Sequence, residues 1–126
     1  MISIDVSNIK CFEEDGVLIV AVGDGAIDPQ NYLIISRLDD EDNATIDDAI
    51  GLQVAGASYE INNSISKVIL GGDCLRVEIK PEFAMHFGAA IVLAKFSDEV
   101  LRAGGVCSLR EALEVIFEGS AVNLVA

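Results

Sequence analysis

The densest group of side chains that could do chemistry lies in residues 37–51, RLDDEDNATIDDAIG. Six carboxylates occupy ten positions there, with no lysine or arginine between them. Carboxylate oxygens are the ligands that Ca²⁺ prefers, but a block of like charge is also typical of a solvated loop or of a surface that attracts a basic partner. The sequence leaves these three interpretations open. The six residues are Asp39, Asp40, Glu41, Asp42, Asp47 and Asp48.

An EF-hand calcium loop is excluded by the residues at its ligand positions. A loop begun at Asp40 has Asp42 in the third position, but Ala44 stands fifth. Thr45 replaces the glycine of the turn, and Gly51 replaces the terminal glutamate. A calcium- or small-ligand-binding module of another kind remains an alternative function.

Candidates for catalysis are few. His86 is the only histidine, and its position between Met85 and Phe87 favours a partly buried or surface imidazole over a general base. Residues 23–25, GDG, follow an apolar run as a dinucleotide loop would, but the third glycine is missing and Pro29 interrupts the expected helix. A turn is the better prediction. We therefore expect a protein that is not an enzyme and has no catalytic residues, cofactor or metal centre.

Arg37 ends an apolar run immediately before the six acids. A ligand-binding arginine is one interpretation of such a residue. A local charge partner that holds the acidic loop to a sheet is the favoured one, because oppositely charged neighbours are already present in the sequence.

Charge narrows the classes of partner. The chain of 126 residues is long enough for one domain, 1–126, and its formal net charge is −13. Residues 1–63 hold 2 basic and 13 acidic side chains, a balance of −11, whereas residues 64–126 hold 6 and 8, a balance of −2. Such a chain repels nucleic acid and anionic membranes, so neither is expected as a ligand. Basic proteins stay open as partners.

The cysteines and the N-terminus favour a cytoplasmic protein. Cys11, Cys74 and Cys107 are odd in number and widely spaced, which indicates neither a disulfide framework nor a zinc knuckle. Residues 1–5, MISID, lack the basic and apolar segments of a secretory signal. The apolar run GVLIVAV at 16–22 is too short to cross a bilayer and predicts a buried strand.

Strand patterns fill the first two thirds of the chain. Alternation over 2–6 predicts a half-buried strand, and the run at 17–22 predicts a central strand covered on both faces. Further strands are expected at 32–38, from Leu52 onward and across a hairpin over 66–80 whose Gly71-Gly72 supplies positive φ.

Helix patterns come late. Pro81 begins a short helix that Gly88 ends, and Ser97 caps another before Gly104. Ser108 and Glu111 match the capping box of a final helix with an apolar stripe.

Strands first and helices late predict an α+β domain, with a mainly antiparallel sheet of about six or seven strands, short helices and a C-terminal helix packed on it.

One family resemblance emerges from these positions. The chain resembles the Immunity protein 10 family of bacterial polymorphic toxin systems over roughly residues 16–118. The positions that carry the likeness are strand and turn residues: Tyr32-Leu33-x-x-x-Arg37, an acidic connection, Gly51-Leu52-x-Val54, Ile65-x-x-Val68-x-Leu70, Asp73, Leu75-x-Val77-x-Ile79, Gly88 and Ile116-Phe117.

The resemblance implies a small cytoplasmic protein that binds and neutralises a cognate toxin domain and has no active-site residues of its own. Many toxins that attack nucleic acid are basic, so we expect a basic toxin, with a nuclease as one candidate. The hypothesis places the six carboxylates of 39–48, together with Glu13, Glu14 and Asp15, at the interface. A structural subunit built as a homo-oligomer on an exposed sheet edge is the other alternative, and both a monomer and a homodimer stay open.

Overall fold

Ten strands and three helices make up the computed structural model, which describes residues 1–126. The longest helix has 12 residues, and no helix combines the length and apolar character required to cross a membrane. Short 3₁₀ turns occupy Ile46–Ala49 and Pro81–Phe83. The strands are β1 Ile2–Val6, β2 Asn8–Glu14, β3 Val17–Gly23, β4 Tyr32–Arg37, β5 Ile50–Val54, β6 Ile61–Asn62, β7 Ile65–Leu70, β8 Cys74–Ile79, β9 Ile91–Phe96 and β10 Asn123–Val125, and the helices are α1 Ala84–Phe87, α2 Asp98–Arg102 and α3 Gly105–Ile116.

The strands form two five-stranded sheets. Sheet A has the order β1-β9-β8-β7-β10, and sheet B has the order β2-β3-β4-β5-β6. Every pairing is antiparallel except β1 with β9 and β10 with β7. The predicted α+β class with mainly antiparallel strands is confirmed, although ten strands in two sheets replace the expected single sheet of six or seven. Two strands that the sequence did not predict, β2 and β10, account for much of the difference.

One core joins the two sheets and the last helix. A single cluster of 24 buried residues draws on both sheets, and seven of the ten strands supply it, mostly with alternate residues. On β3, for example, Val20 and Val22 are fully buried. The stripe predicted on the final helix is confirmed, because Leu109, Leu113 and Ile116 are also buried in this cluster. The helix therefore packs on the sheet as expected.

The final helix begins earlier than the capping box predicts. It starts at Gly105 and follows Gly104, whose φ of 76° is left-handed, and it has no side-chain cap. Ser108 and Glu111 lie on the exposed side of the helix instead. The expectation was wrong because α2 runs almost directly into α3, so the chain turns at the glycine pair and not at a serine cap. The cap predicted for α2 is confirmed, since the Ser97 hydroxyl accepts a hydrogen bond from the Val100 amide.

The β7–β8 hairpin forms where it was predicted, but its glycines have a different role. Neither Gly71 nor Gly72 adopts positive φ, and the Gly71 amide donates to the Cys74 carbonyl. A left-handed turn occurs instead between β2 and β3, where Asp15 and Gly16 have φ of 52° and 80°. These values are typical of the turn that joins tightly paired antiparallel strands.

The outer face of β3 is less covered than the apolar run predicts. Its residues Val17, Ile19 and Ala21 are only half-buried. The prediction of burial on both faces was wrong because sheet A and α3 cover the opposite face alone. Sheet B therefore presents apolar side chains to solvent, and Phe12 of β2, opposite Ile19, is 43 % exposed.

Candidate functional site

The pairing of β2, β3 and β4 brings two acidic segments to one end of sheet B. Glu14 lies opposite Val17, and Leu18 lies opposite Arg37, so the β2–β3 turn and the loop after β4 are neighbours. We call Glu13–Asp15 and Asp39–Asp42 together the acidic end. All seven carboxylate residues are exposed. Seven of the 13 acidic residues in 1–63 thus lie together at one end of sheet B.

The loop of the acidic end is an ordered turn. The Asp40 carboxylate accepts a hydrogen bond from the Asp42 amide at 3.0 Å, and the Asp40 carbonyl accepts one from the Asn43 amide at 3.0 Å. The Asn43 side chain then donates to the Leu38 carbonyl at 3.2 Å. The Glu41 and Asp42 side chains make no hydrogen bond within the chain, so their carboxylates are presented to solvent on a fixed backbone.

Arg37 holds this loop and α3 together. Its Nε atom lies 2.9 Å from Asp39 Oδ1, which confirms the predicted local charge partner. Its Nη1 atom also donates to the carbonyls of Ile116 and Glu118 at 2.9 and 2.8 Å. Arg37 is the one cation that forms a salt bridge with a carboxylate of the acidic end, and its side chain is only 12 % exposed. It therefore does little to neutralise the surface that a partner would meet.

Asp47 and Asp48 are occupied by internal contacts. Asp48 and Thr45 form a capping box on the 3₁₀ turn, and Asp48 Oδ1 accepts a hydrogen bond from the Asn63 side chain at 3.2 Å. Asp47 accepts hydrogen bonds from the Ser120 hydroxyl and from the Ala121 amide. Both aspartates are half-buried. Of the six carboxylates that the sequence singles out, these two stabilise the fold and Asp39–Asp42 face outward.

Changing Asp47 to alanine is expected to loosen the C-terminal segment. The Ser120 hydroxyl and the Ala121 amide lose their acceptor, which costs about 1 to 2 kcal/mol. Hydrogen exchange of the Ala121 to Val125 amides should accelerate about tenfold. Asp42→Ala, in the same loop but without such contacts, serves as the control. Equal exchange rates in the two variants would show that Asp47 does not anchor this segment.

The carboxylates do not converge on a cation. Nowhere in the structure do three or more histidine, cysteine, aspartate or glutamate side chains come close enough to share a metal ion. The Asp39 side chain points to Arg37, and the Asp47 and Asp48 side chains point into internal hydrogen bonds. The carboxylates of 39–48 thus diverge, which is the opposite of a calcium cage.

The remaining candidate groups have ordinary structural partners. His86 Nε2 lies 2.8 Å from the Tyr59 carbonyl, and its ring stacks on the Tyr59 ring with centroids 4.4 Å apart. Burial raises the pKa of Cys11, and burial together with the neighbouring Asp73 raises the pKa of Cys74, so neither is an activated thiolate. No nucleophile and base are brought together by these contacts.

The GDG segment is a turn, as predicted. The Asp24 carboxylate accepts hydrogen bonds from the Asn31 side chain at 3.0 Å and from the Gln30 and Asn31 amides at 3.0 and 3.2 Å. The bond from the Asn31 side chain is the main reason that the pKa of Asp24 lies below its usual value. A carboxylate that occupies the available amide donors leaves none for a phosphate.

Sequence reasoning missed a groove beside the acidic end. The side chains of Cys11 and Leu18 lie on one side of it, and Ala112 and Val115 of α3 lie on the other. Its volume is about 300 Å³. The groove was not predicted, because β2, the strand that forms one side of it, was not predicted either.

The fold and surface define a two-sheet α+β domain with an acidic end. No protein-family model matches the chain, and no curated protein sequence matches it. Most of the residues that carry the resemblance described above, such as Leu33, Leu52 and Val77, are buried in the core. They specify the fold and carry no information about a binding surface.

Proposed function

We propose that this protein is a cytoplasmic immunity protein that binds a cognate basic toxin domain and neutralises it without catalysis. The observation that carries the proposal is the acidic end, where seven exposed carboxylates lie together. Arg37, the one cation in a salt bridge with this end, is turned inward to α3. The proposal rests on this surface, because no family match supports the resemblance.

The physical role of such a surface is to attract and occlude. A concentrated negative potential accelerates the encounter with a positively charged partner by roughly 10-fold to 1,000-fold at low salt. A toxin that acts on nucleic acid needs a basic groove for its substrate, and an anionic protein can occupy the same groove. A nuclease is therefore the toxin class that this surface fits best.

A growth experiment tests the proposal directly. The toxin domain encoded beside this chain's gene is expressed in a bacterial host, with and without this protein. Co-expression is expected to restore growth, and the two purified proteins should form a complex. The proposal is wrong if no toxin gene lies beside this chain's gene. It is also wrong if the toxin inhibits growth equally when this protein is present.

Neutralising the acidic loop should slow association with that toxin domain. The variant Asp40→Asn, Glu41→Gln, Asp42→Asn keeps the Arg37–Asp39 ion pair and removes three outward charges. Its association rate constant is expected to fall about tenfold at low salt, with a smaller difference at high salt because ions screen the field. Stopped-flow or surface plasmon resonance measures the rate.

A matched control removes three charges elsewhere. Asp5→Asn, Asp73→Asn and Glu82→Gln are also exposed positions, but they lie on or near sheet A. This variant should associate at nearly the wild-type rate. If both triple variants are slowed equally, net charge rather than the acidic end governs association, and the loop is not part of the interface.

A further inference from the structure

We infer that the groove between β2 and α3 receives an apolar side chain that is flanked by lysine or arginine in the basic partner. The inference rests on the proposed function and adds a specific contact to it. The apolar side chains that line it are those of Cys11 and Leu18, on the face of sheet B toward α3, and of Ala112 and Val115 on the helix, and the charged residues on its border are Glu13 and Glu111.

The groove is apolar and uncovered. Val115 is 51 % exposed, and Cys11 and Leu18 are only half-buried, although all three lie beside a well-packed core. β2 is an edge strand of sheet B, so no further strand lies next to it. Burying these side chains against a partner is favourable by roughly 25 cal/mol per Å² of apolar surface. The volume of about 300 Å³ suits a side chain rather than a large ligand.

The negative charge around the groove favours an occupant with positively charged residues. Glu13 and Glu111 line it, and Glu13 also belongs to the acidic end. The apolar side chain of the partner enters most favourably when lysine or arginine lies next to it in the partner. These cations pair with Glu13 and Glu111 while the apolar side chain is removed from water in the groove. A second copy of this chain is disfavoured as the occupant, since its charge of −13 opposes approach to the acidic end.

Peptide titration with the labelled protein tests the groove independently of the toxin. The probe is the peptide Lys-Lys-Leu-Lys-Lys, blocked at both ends, added to ¹⁵N-labelled full chain while chemical shifts are followed. The comparison peptides replace the leucine with serine or every lysine with glutamate. We expect shift changes at Cys11, Glu13 and residues 108–116, with the leucine peptide bound about fivefold more tightly than the serine peptide and the glutamate peptide not bound.

A variant pair separates the groove from the rest of the surface. Val115→Ser should weaken binding of the leucine peptide about fivefold, whereas Val125→Ser should not change it. Val125 is 45 % exposed on β10, so it matches Val115 in type and exposure. Each variant is first checked for an unchanged spectrum outside the substituted region, and Val115→Ala replaces Val115→Ser if the latter is misfolded.

Three results would overturn the inference: shift changes confined to Asp39–Asp42, equal affinity for the leucine and serine peptides, or no binding of either. None of these depends on the toxin. If this protein restores growth and binds the toxin in the earlier experiments while the peptides do not bind the groove, the proposed function stands and only the contact is wrong. If the groove binds the peptide but no toxin is neutralised, the immunity role fails and the binding site remains.

Discussion

Replacing Arg37 with methionine is expected to lower the free energy of unfolding by about 3 kcal/mol. The guanidinium donates to the carbonyls of Ile116 and Glu118 and lies 3.4 Å from the Val115 carbonyl. These groups end α3, where the helix dipole is negative and favours a cation. Methionine keeps the length of the side chain but leaves the carbonyls without a donor in a place that is largely closed to water.

Two further substitutions show which contact of Arg37 matters, with urea unfolding as the measurement. Arg37→Lys should be intermediate, because an ammonium keeps the charge but cannot reach the helix and Asp39 with the same planar geometry. Asp39→Asn should cost less than about 1 kcal/mol, since the Asp39 side chain is 70 % exposed. A cost for Asp39→Asn equal to that of Arg37→Met would mean that the ion pair, and not the helix end, is the stabilising contact.

Leu113→Ala is expected to lower the free energy of unfolding by about 3 kcal/mol, whereas Val115→Ala, on the same helix, should change it by less than about 0.5 kcal/mol. Leu113 is completely buried in the cluster that joins the sheets, and its truncation leaves a cavity. Val115 is half exposed at the groove, and alanine favours the helix. Guanidinium unfolding followed by circular dichroism measures both.

The comparison of these two variants also bears on the groove. If Val115→Ala destabilised the chain as much as Leu113→Ala, Val115 would be a core residue and its exposure would have no meaning for a partner. If both were neutral, α3 would not be part of the core. The expected difference would show that the face of α3 toward sheet B holds the fold while Val115 is free for contact.

Elements with a clear period were predictable from the sequence, and those without one were not. β1 alternates apolar and polar residues, and β3 is a continuous apolar run, so both were found. On one face of β2, Ile9 and Cys11 are followed by Glu13. On the other face, Lys10 is followed by Phe12. Because each face mixes apolar and charged residues, the sequence shows no apolar pattern for this strand. β10 has only three residues. Its pairing with β7 depends on tertiary contacts that no local pattern encodes.

The sequence predicted which residues make up the acidic site, but not which of them face solvent and which make internal contacts. The sequence indicated that Asp39–Asp42 and Glu13–Asp15 could act together, and the hairpin register places them at one end. It could not indicate that Asp47 binds Ser120 and Ala121, more than seventy residues away. The sequence also did not predict the hydrogen bond from Arg37 to Ile116 at the end of α3, which are 79 residues apart. Contacts of this range are set by how the sheets stack, which local spacing does not determine.

The order of strands in sheet A has a consequence for biosynthesis. Ile2 pairs opposite Val92, and Leu124 pairs opposite Val68, so the sheet joins the first and last strands of the chain. The hairpins of β2 to β5 can form as they leave the ribosome, but their inner face has no cover until β9 and α3 are made. Such long-range pairing slows folding and leaves a nascent chain dependent on its final segment. Translation must therefore pass β9 and α3 before the domain becomes stable.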